Sequence, residues 1–245
     1  NNAELNAYID KLIEYESTPF ENWMKNHIFV AEDPDSAGDF TTYAENVVAK
    51  YIDPFPNATA IEVYQEDYEC TTAGSPQCED AKSSLLQGLN SGALILNYIG
   101  HASVNWWSHE KIFSPDDFSA LPVTYKLPVI LSMTCLDGYW SGPITRPGSS
   151  MIEELVRKEA SGAIAAFSPT GLGITSGHDV LHQGFYDALM TEGISELGLA
   201  VQNSKIWLYQ TGLNQDLLHT YTIFGDPALR IRIPRMIFLP LTVAK

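Results

Sequence analysis

The sequence predicts an α/β fold, a three-layer α/β/α sandwich around a mostly parallel sheet of about six strands. Three observations predict it. Short apolar runs alternate with segments of helical periodicity along the whole chain. Two of the runs, Ala93–Tyr98 and Pro128–Met133, are nearly continuous in apolar residues, as parallel strands covered on both faces require. No internal repeat, low-complexity tract or linker interrupts the pattern before Ile233, so one domain is expected over residues 1–234, followed by an apolar tail over 235–245.

The elements follow in order. Leu5, Tyr8, Ile9, Leu12 and Ile13 fall at helical spacing and predict an amphipathic first helix. His27–Ala31 is a short apolar strand that runs into the acidic turn Glu32-Asp33-Pro34-Asp35. A helix is expected over Phe40–Tyr51, a strand over Ala60–Tyr64 and a helix over Asp80–Leu89, with Ala81, Leu85 and Leu89 on one side. After the two apolar strands, Ser150-Met-Ile-Glu153 has the form of a capping box. The helix it opens places Ile152, Leu155 and Val156 inward and ends before Gly162. Gly162–Phe167 predicts a strand, Asp179–Met190 a helix, Leu197–Leu208 the last long helix and Ala228–Ile233 a final strand.

Composition narrows the function. The 245 residues carry 30 acidic and 14 basic side chains, a net charge of −16. That sign opposes binding to nucleic-acid backbones and adhesion to anionic membranes. No apolar run is long enough for membrane insertion. The N-terminus opens into a helical pattern with no basic-then-apolar leader, so a mature product or a piece of a longer chain is expected. Cys70 and Cys78 bracket a polar Gly/Pro-containing loop that either closes as a disulfide or carries two free thiols. A closed pair would imply an oxidising, extracytoplasmic setting and leave Cys135 as the odd thiol.

In open parallel sheets, ligands bind beyond the carboxyl ends of the strands. There the sequence places Gly100-His101-Ala102-Ser103, Thr134-Cys135-Leu136-Asp137-Gly138 and Glu32-Asp33. A histidine, a cysteine and a carboxylate at one sheet edge are the set that thiol catalysis needs. The thiolate is the nucleophile, an imidazole manages its proton, and a carboxylate fixes the imidazole tautomer. Gly100 and Gly138 are expected to turn the backbone sharply and aim N–H groups at a developing oxyanion.

Asn97-Tyr-Ile-Gly-His101-Ala-Ser103 resembles the Asn-Tyr-x-Gly-His-Gly-Ser motif of gingipain-type cysteine peptidases. Leu131-Ser-Met-Thr-Cys135-Leu-Asp-Gly138 is similar to that family's strand ending in Cys-x-Asn/Asp-Gly. Ser149–Leu155 is similar to the helix after the nucleophile, Phe224–Leu229 to a late Gly-Asp-Pro segment, and Phe29–Asp39 to the acidic turn after an early strand. The matches are in order over about 28–233. The resemblance implies a caspase-like fold and a secreted or surface endopeptidase from a bacterium, with protein or peptide substrates and no required cofactor. It implies a Cys135/His101 dyad working through a thioester, and an oxyanion hole from the amides of Ala102 and Cys135. Asp33 is the best match for the carboxylate behind the histidine, with Glu32 as rival. Ala102 departs from the family's glycine, which would matter if φ were positive there. The family's arginine-selecting carboxylate matches Thr41, so arginine selectivity does not carry over, although Asp39 stands nearby. Trp106, Thr170 and Gly171 are further candidates to line the substrate pocket.

Other readings are weaker. His178 and His182 stand at metal-ligand spacing on a helix, but no third ligand is evident, and two solvated histidines are expected. His109 is read as surface. The acidic turns Glu32–Asp39 and Glu66–Asp67 offer oxygen ligands for a structural Ca²⁺. An inactive surface or assembly module on the same fold is the alternative, with the tail Met236–Val243 self-associating by strand addition.

Overall fold

The computed structural model describes residues 1–71, 76–141 and 148–233. The C-terminal tail expected to self-associate lies outside the described residues. A six-stranded sheet has the order β2-β1-β3-β4-β5-β6. Its strands are β1 (Asn26–Ala31), β2 (Thr59–Tyr64), β3 (Ile95–Ile99), β4 (Val129–Met133), β5 (Ala165–Pro169) and β6 (Tyr221–Phe224). The first five are parallel and β6 runs antiparallel to β5. Because β2 lies on one side of β1 and β3 on the other, the chain reverses its direction of winding at β1. The crevice at the carboxyl ends of β1 and β3 is the natural place for a site.

Alternation along each strand feeds two cores. Phe29, Ala31, Ile95, Ile99, Leu131, Met133 and Phe167 face α2 (Phe40–Tyr51), α5 (Thr175–Tyr186) and α6 (Leu197–Thr211). Ile28, Val30, Leu96, Tyr98, Ile130 and Ala166 face α3 (Glu79–Ser91) and α4 (Met151–Arg157). The layers are therefore helix, sheet, helix. The central strands β3, β4 and β5 are buried at every residue, which is why they read as nearly continuous apolar runs, each with one polar residue. The capping box opens α4 as the sequence predicts, with Ser150 accepting from the Glu153 amide and Glu153 answering the Ser150 amide. The Cys70–Cys78 disulfide is formed, and Cys78 is fully buried at the start of α3.

Three elements differ from expectation. The final strand is Tyr221–Phe224, not Ala228–Ile233. The latter segment buries Leu229 and Ile231 and makes only an isolated bridge, Arg230 with Glu196, so its alternation mimics a strand without a ladder. The helix expected over 179–190 begins earlier, at Thr175, and closes in a π-helical turn over Asp187–Thr191. Finally, α1 (Asn2–Ser17) leaves Leu5, Ile9 and Ile13 exposed and buries Lys11 and Tyr15. The Lys11 ammonium donates to the carbonyls of Val156, Lys158, Ser161 and Ala163 at 2.8–3.3 Å, tying α1 to the end of α4.

Candidate active site

β3 and β4 are adjacent and in register, so His101, two residues beyond β3, and Cys135, two beyond β4, emerge side by side. Gly100 makes the histidine loop possible. A Cβ there would lie 2.6 Å from Glu32 Cβ and 2.8 Å from Glu32 Oε2. The buried Glu32 carboxylate uses that approach to accept the backbone N–H of His101 and, at 3.3 Å, that of His109. Burial pushes the Glu32 carboxyl above its ordinary value while the His101 N–H pulls it back. On the other side, the Tyr98 hydroxyl donates to the His101 carbonyl and accepts the Ser108 N–H at 2.8 Å. The loop is thus gripped through its main chain.

The His101 ring itself is 53 % exposed and pairs through Nε2 with Asp35 Oδ2 at 3.1 Å. Its edge packs against Phe40, with ring centroids 5.4 Å apart. The carboxylate on the imidazole is therefore Asp35, not Asp33. Asp33 lies 3.3 Å from Gln65 Nε2, and Glu32 holds the histidine's amide rather than its ring. Alternation at the end of a strand sends Glu32 and Asp33 to opposite sides, and the turn after Pro34 brings Asp35 back. Asp35 Oδ1 also takes the Ala37 N–H at 2.7 Å, the main cause holding its carboxyl below the usual range.

The loop that carries Cys135 is tied at several points. Thr134 donates its hydroxyl to the Gly100 carbonyl at 2.6 Å, joining the two loops, and its N–H to the Tyr221 hydroxyl at 3.2 Å. Leu136 sits at φ +63°, a conformation costing a non-glycine residue about 1 kcal/mol, and its N–H is held by the Gly171 carbonyl at 3.1 Å. The Cys135 thiol is half-buried. Sγ accepts the Gly173 N–H at 3.3 Å and lies 3.7 Å from the Gly173 carbonyl. Burial raises the thiol's pKa, the Gly173 N–H opposes that, and nearby Asp137 adds to it. Among the described residues, no hydrogen bond joins Sγ to the His101 ring.

Among the described residues, the amides of Ala102 and Cys135 donate to no acceptor. The glycine amides expected to help them are committed elsewhere: Gly100 N–H to Met133 at 3.5 Å and Gly138 N–H to Pro169 at 3.1 Å. Gly138 serves close packing instead, since a Cβ would meet Ser168 Oγ at 2.5 Å. Ala102 does not have positive φ, so alanine carries no strain in place of the family's glycine.

The pocket candidates divide. Asp39 is the N-cap of α2 and accepts the Thr42 N–H and hydroxyl at 3.0 and 2.8 Å, so its carboxylate serves the helix. Thr41 is buried with an unpartnered hydroxyl. Trp106 is partly exposed beneath the Lys111 ammonium, 5.2 Å from its ring centroid. Thr170 donates both N–H and hydroxyl to the Thr220 carbonyl at 2.8 Å, and Gly171 holds Leu136, so both anchor the loop after β5. Gly173 presents its main chain to the thiol, and its neighbours Leu172 and Ile174 are among the most exposed apolar side chains described.

Sequence reasoning missed Asp35 and the groups beneath the site, and held Gly173 only as part of a stretch, 168–177, expected to line the cleft. Asp35 was visible in the acidic turn, and Gly173 in the paired glycines 171 and 173. His178 and His182 are buried, not solvated. A Cβ on Gly173 would lie 2.2 Å from His178 Nε2, so that ring forms the floor under the thiol's partner. His182 bonds Asn97 Oδ1 at 3.0 Å. Among the described residues no group of three or more His, Cys, Asp or Glu could hold a metal, and no helix is long and apolar enough to cross a membrane.

Comparison with known proteins places the chain in a family. A family model, peptidase family C25, matches residues 1–232. Gingipain R2 of Porphyromonas gingivalis is 21% identical over 241 residues, covering 94% of this chain and 31% of its own length. Gingipain R1 of the same species is 21% identical, with 94% and 23% covered. The crystal structure of the Arg-specific cysteine proteinase gingipain R superposes with a TM-score of 0.76 at 20% identity, over 93% of this chain and 52% of that one. The complex of RgpB pro- and mature domains gives 0.75 at 19%, over 93% and 54%. The chain thus spans less than a third of these curated relatives and about half of the solved chains. Its fold is the caspase-like fold of those structures, and the chain belongs to peptidase family C25.

Proposed function

We propose that this chain is a secreted or surface cysteine endopeptidase that cleaves peptide bonds through Cys135 and His101. The observation that supports this best is the pairing of a strand-end thiol with a strand-end imidazole beside two amides, of Ala102 and Cys135, that donate to no described acceptor. The thiol's pKa is raised at rest, so it is a neutral group that loses its proton as attack begins. His101 takes that proton while Sγ bonds to the substrate carbonyl carbon, and the two amides receive the oxyanion. The protonated imidazole then gives its proton to the departing amine, leaving a thioester. Water, deprotonated by the same ring, opens the thioester and restores the thiol. Asp35 orients the ring through an exposed contact of modest energy.

Arginine selectivity is not part of the proposal. Thr41 stands where a carboxylate would be needed, and Asp39 is engaged as a helix cap. The Cys70–Cys78 disulfide supports an oxidising, extracytoplasmic setting. One observation favours a second reading, an inactive surface or assembly module: Sγ bonds Gly173 and not the imidazole. Labelling with electrophilic peptide probes separates the two. Fast modification of Cys135 that collapses in His101→Ala supports the peptidase. Slow modification, equal in both proteins, supports the module.

A further inference from the structure

Asp137, two residues after the nucleophile, is completely buried and is used by no step above. Its Oδ2 accepts the Trp107 indole N–H at 2.8 Å and the Ser132 hydroxyl, and its Oδ1 accepts the Ser168 hydroxyl at 2.7 Å. Its own N–H returns to the Cys135 carbonyl at 2.8 Å, and its carbonyl takes the Ile152 N–H at 3.2 Å in the first turn of α4. One side chain thus gathers β4, β5 and the histidine loop, while its main chain carries the nucleophile.

The link to the histidine loop continues beyond the carboxylate. Trp107 stacks on Tyr98 with centroids 4.5 Å apart and planes 4° from parallel. Tyr98 in turn holds the His101 carbonyl. Cys135 and His101 therefore share a chain of contacts running Asp137, Trp107, Tyr98, all of it buried. The Thr134 hydroxyl on the Gly100 carbonyl is a second, shorter tie.

The choice of a carboxylate is informative. Its described partners are three neutral donors, with no cation among them. Burying a carboxylate this way is costly, and it lets both oxygens accept from all three donors. An asparagine in the same place could keep its oxygen on Trp107 and Ser132 and give its NH₂ to the Ser168 oxygen, so what it removes is the charge.

We propose that Asp137 is a positioning residue of the peptidase reaction, locking the nucleophile loop to the histidine loop through Trp107. This rests on the assignment of Cys135 and His101. The titratable groups that sense its charge are Cys135, Tyr98 and Tyr221.

The test compares wild type, Asp137→Asn, Trp107→Phe and the double variant. Each is measured for turnover of a cleaved peptide, for urea stability and for the pH profile of Cys135 alkylation by iodoacetamide. Trp107→Phe removes the indole N–H, leaves a smaller aromatic ring against Tyr98, and keeps the test valid if the asparagine variant does not fold. Trp107→Phe is expected to lose about 30- to 100-fold in kcat and Asp137→Asn less, each with KM changed less than about threefold, as a misplaced reacting pair should. The double variant is expected to be no worse than the worse single. The alkylation profile should shift to lower pH in Asp137→Asn, where a nearby negative charge has gone, and stay in place in Trp107→Phe. Lower stability with unchanged kcat and an unchanged profile would make Asp137 merely structural and overturn the proposal. So would a Trp107→Phe protein with full turnover. If wild type cleaves no peptide and its labelling ignores His101, the peptidase assignment itself falls, and the positioning role with it.

Discussion

His101 and three other histidines, two on α5 and one on β1, show the same side chain in two opposite settings. His101 stands half in water at the sheet edge, paired with an equally wet Asp35. His27, His178 and His182 are buried, and burial drives their pKa values down to about 3, 4 and 3. The hydrogen bonds fix the protons of two of them. Asn97 donates to the Tyr186 hydroxyl at 2.8 Å, so Tyr186 donates to His27 Nδ1 at 3.2 Å. Asn97 Oδ1 is then an acceptor, and His182 Nε2 donates to it at 3.0 Å. His27 must be neutral for its Nδ1 to accept, and burial is what keeps His182 neutral, since its Nε2–H could donate in either state. The difference teaches that water access sets what an imidazole here can do: the wet ring stands open to an incoming group, and burial keeps the dry ones neutral.

The largest way to sharpen this contrast is to delete one ring from each region. Cys135→Ala should abolish turnover, and His101→Ala should lower it about a thousandfold with little change in stability. His182→Ala should do the reverse. It removes a packed ring and strands the Asn97 carbonyl, costing about 2–4 kcal/mol in urea unfolding, while turnover per folded molecule stays near wild type. A His182→Ala protein that is stable but inactive would erase the distinction between the two regions.

Acid should act on the dry histidines next. Their folded pKa values lie below the unfolded value near 6.5, so the unfolded chain binds more protons and stability falls as pH drops below about 6.5. At pH 4.5 each contributes a loss of about 2–3 kcal/mol. Asp137 works in the other direction. Burial raises its pKa to about 6, so the folded state binds its proton first and gains roughly 2 kcal/mol by pH 4.5. Glu32, Asp33, Glu62 and Asp179, whose carboxyls burial also raises, act with Asp137, so the net loss is smaller than the sum over the three histidines. Urea titrations at pH 7 and 4.5 check this, and equal stabilities would mean that the three rings are not held neutral.

These histidines also mark the limit of what the sequence discloses. The strand-end placement of His101 and Cys135 was legible because β3 and β4 are apolar at nearly every position and parallel sheets present function at their carboxyl edge. His178 and His182 look like a polar helical pair, and only Asn97, more than eighty positions away, makes the second a core residue. The strand Tyr221–Phe224 escaped notice because it has four residues and only its first is buried. The neighbouring 228–233 segment alternates Leu229 and Ile231 inward without a ladder. Which carboxylate of Glu32, Asp33 and Asp35 meets the imidazole depends on the turn around Pro34, a geometry that spacing alone does not fix.

Those three carboxylates give a graded prediction. Glu32→Ala leaves the His101 and His109 amides unpaired beside a buried wall and should cost about 10- to 100-fold in kcat by loosening the loop. Asp35→Ala removes an exposed partner and should cost about 3- to 10-fold, less at high salt, where such pairs are already weak. Asp33→Ala should change kcat by less than about twofold, because Asp33 faces Gln65. Steady-state kinetics on the three variants in low and high salt order them, and a dominant effect at Asp33 would restore the sequence expectation over the geometry.

The smallest effect is expected at Ala102. Its φ is not positive, so glycine relieves no strain there and adds only freedom to the unfolded chain. Ala102→Gly should lower stability by about 0.5–1 kcal/mol and leave kcat/KM within about twofold. The outcome still bears on the wet half of the contrast. The Ala102 amide is aimed by a loop that Glu32 and Tyr98 already clamp, so its direction does not depend on the residue's own flexibility. A tenfold gain in turnover from glycine would show that the amide must swing into place during the reaction, and that the histidine loop is held less firmly than its hydrogen bonds imply.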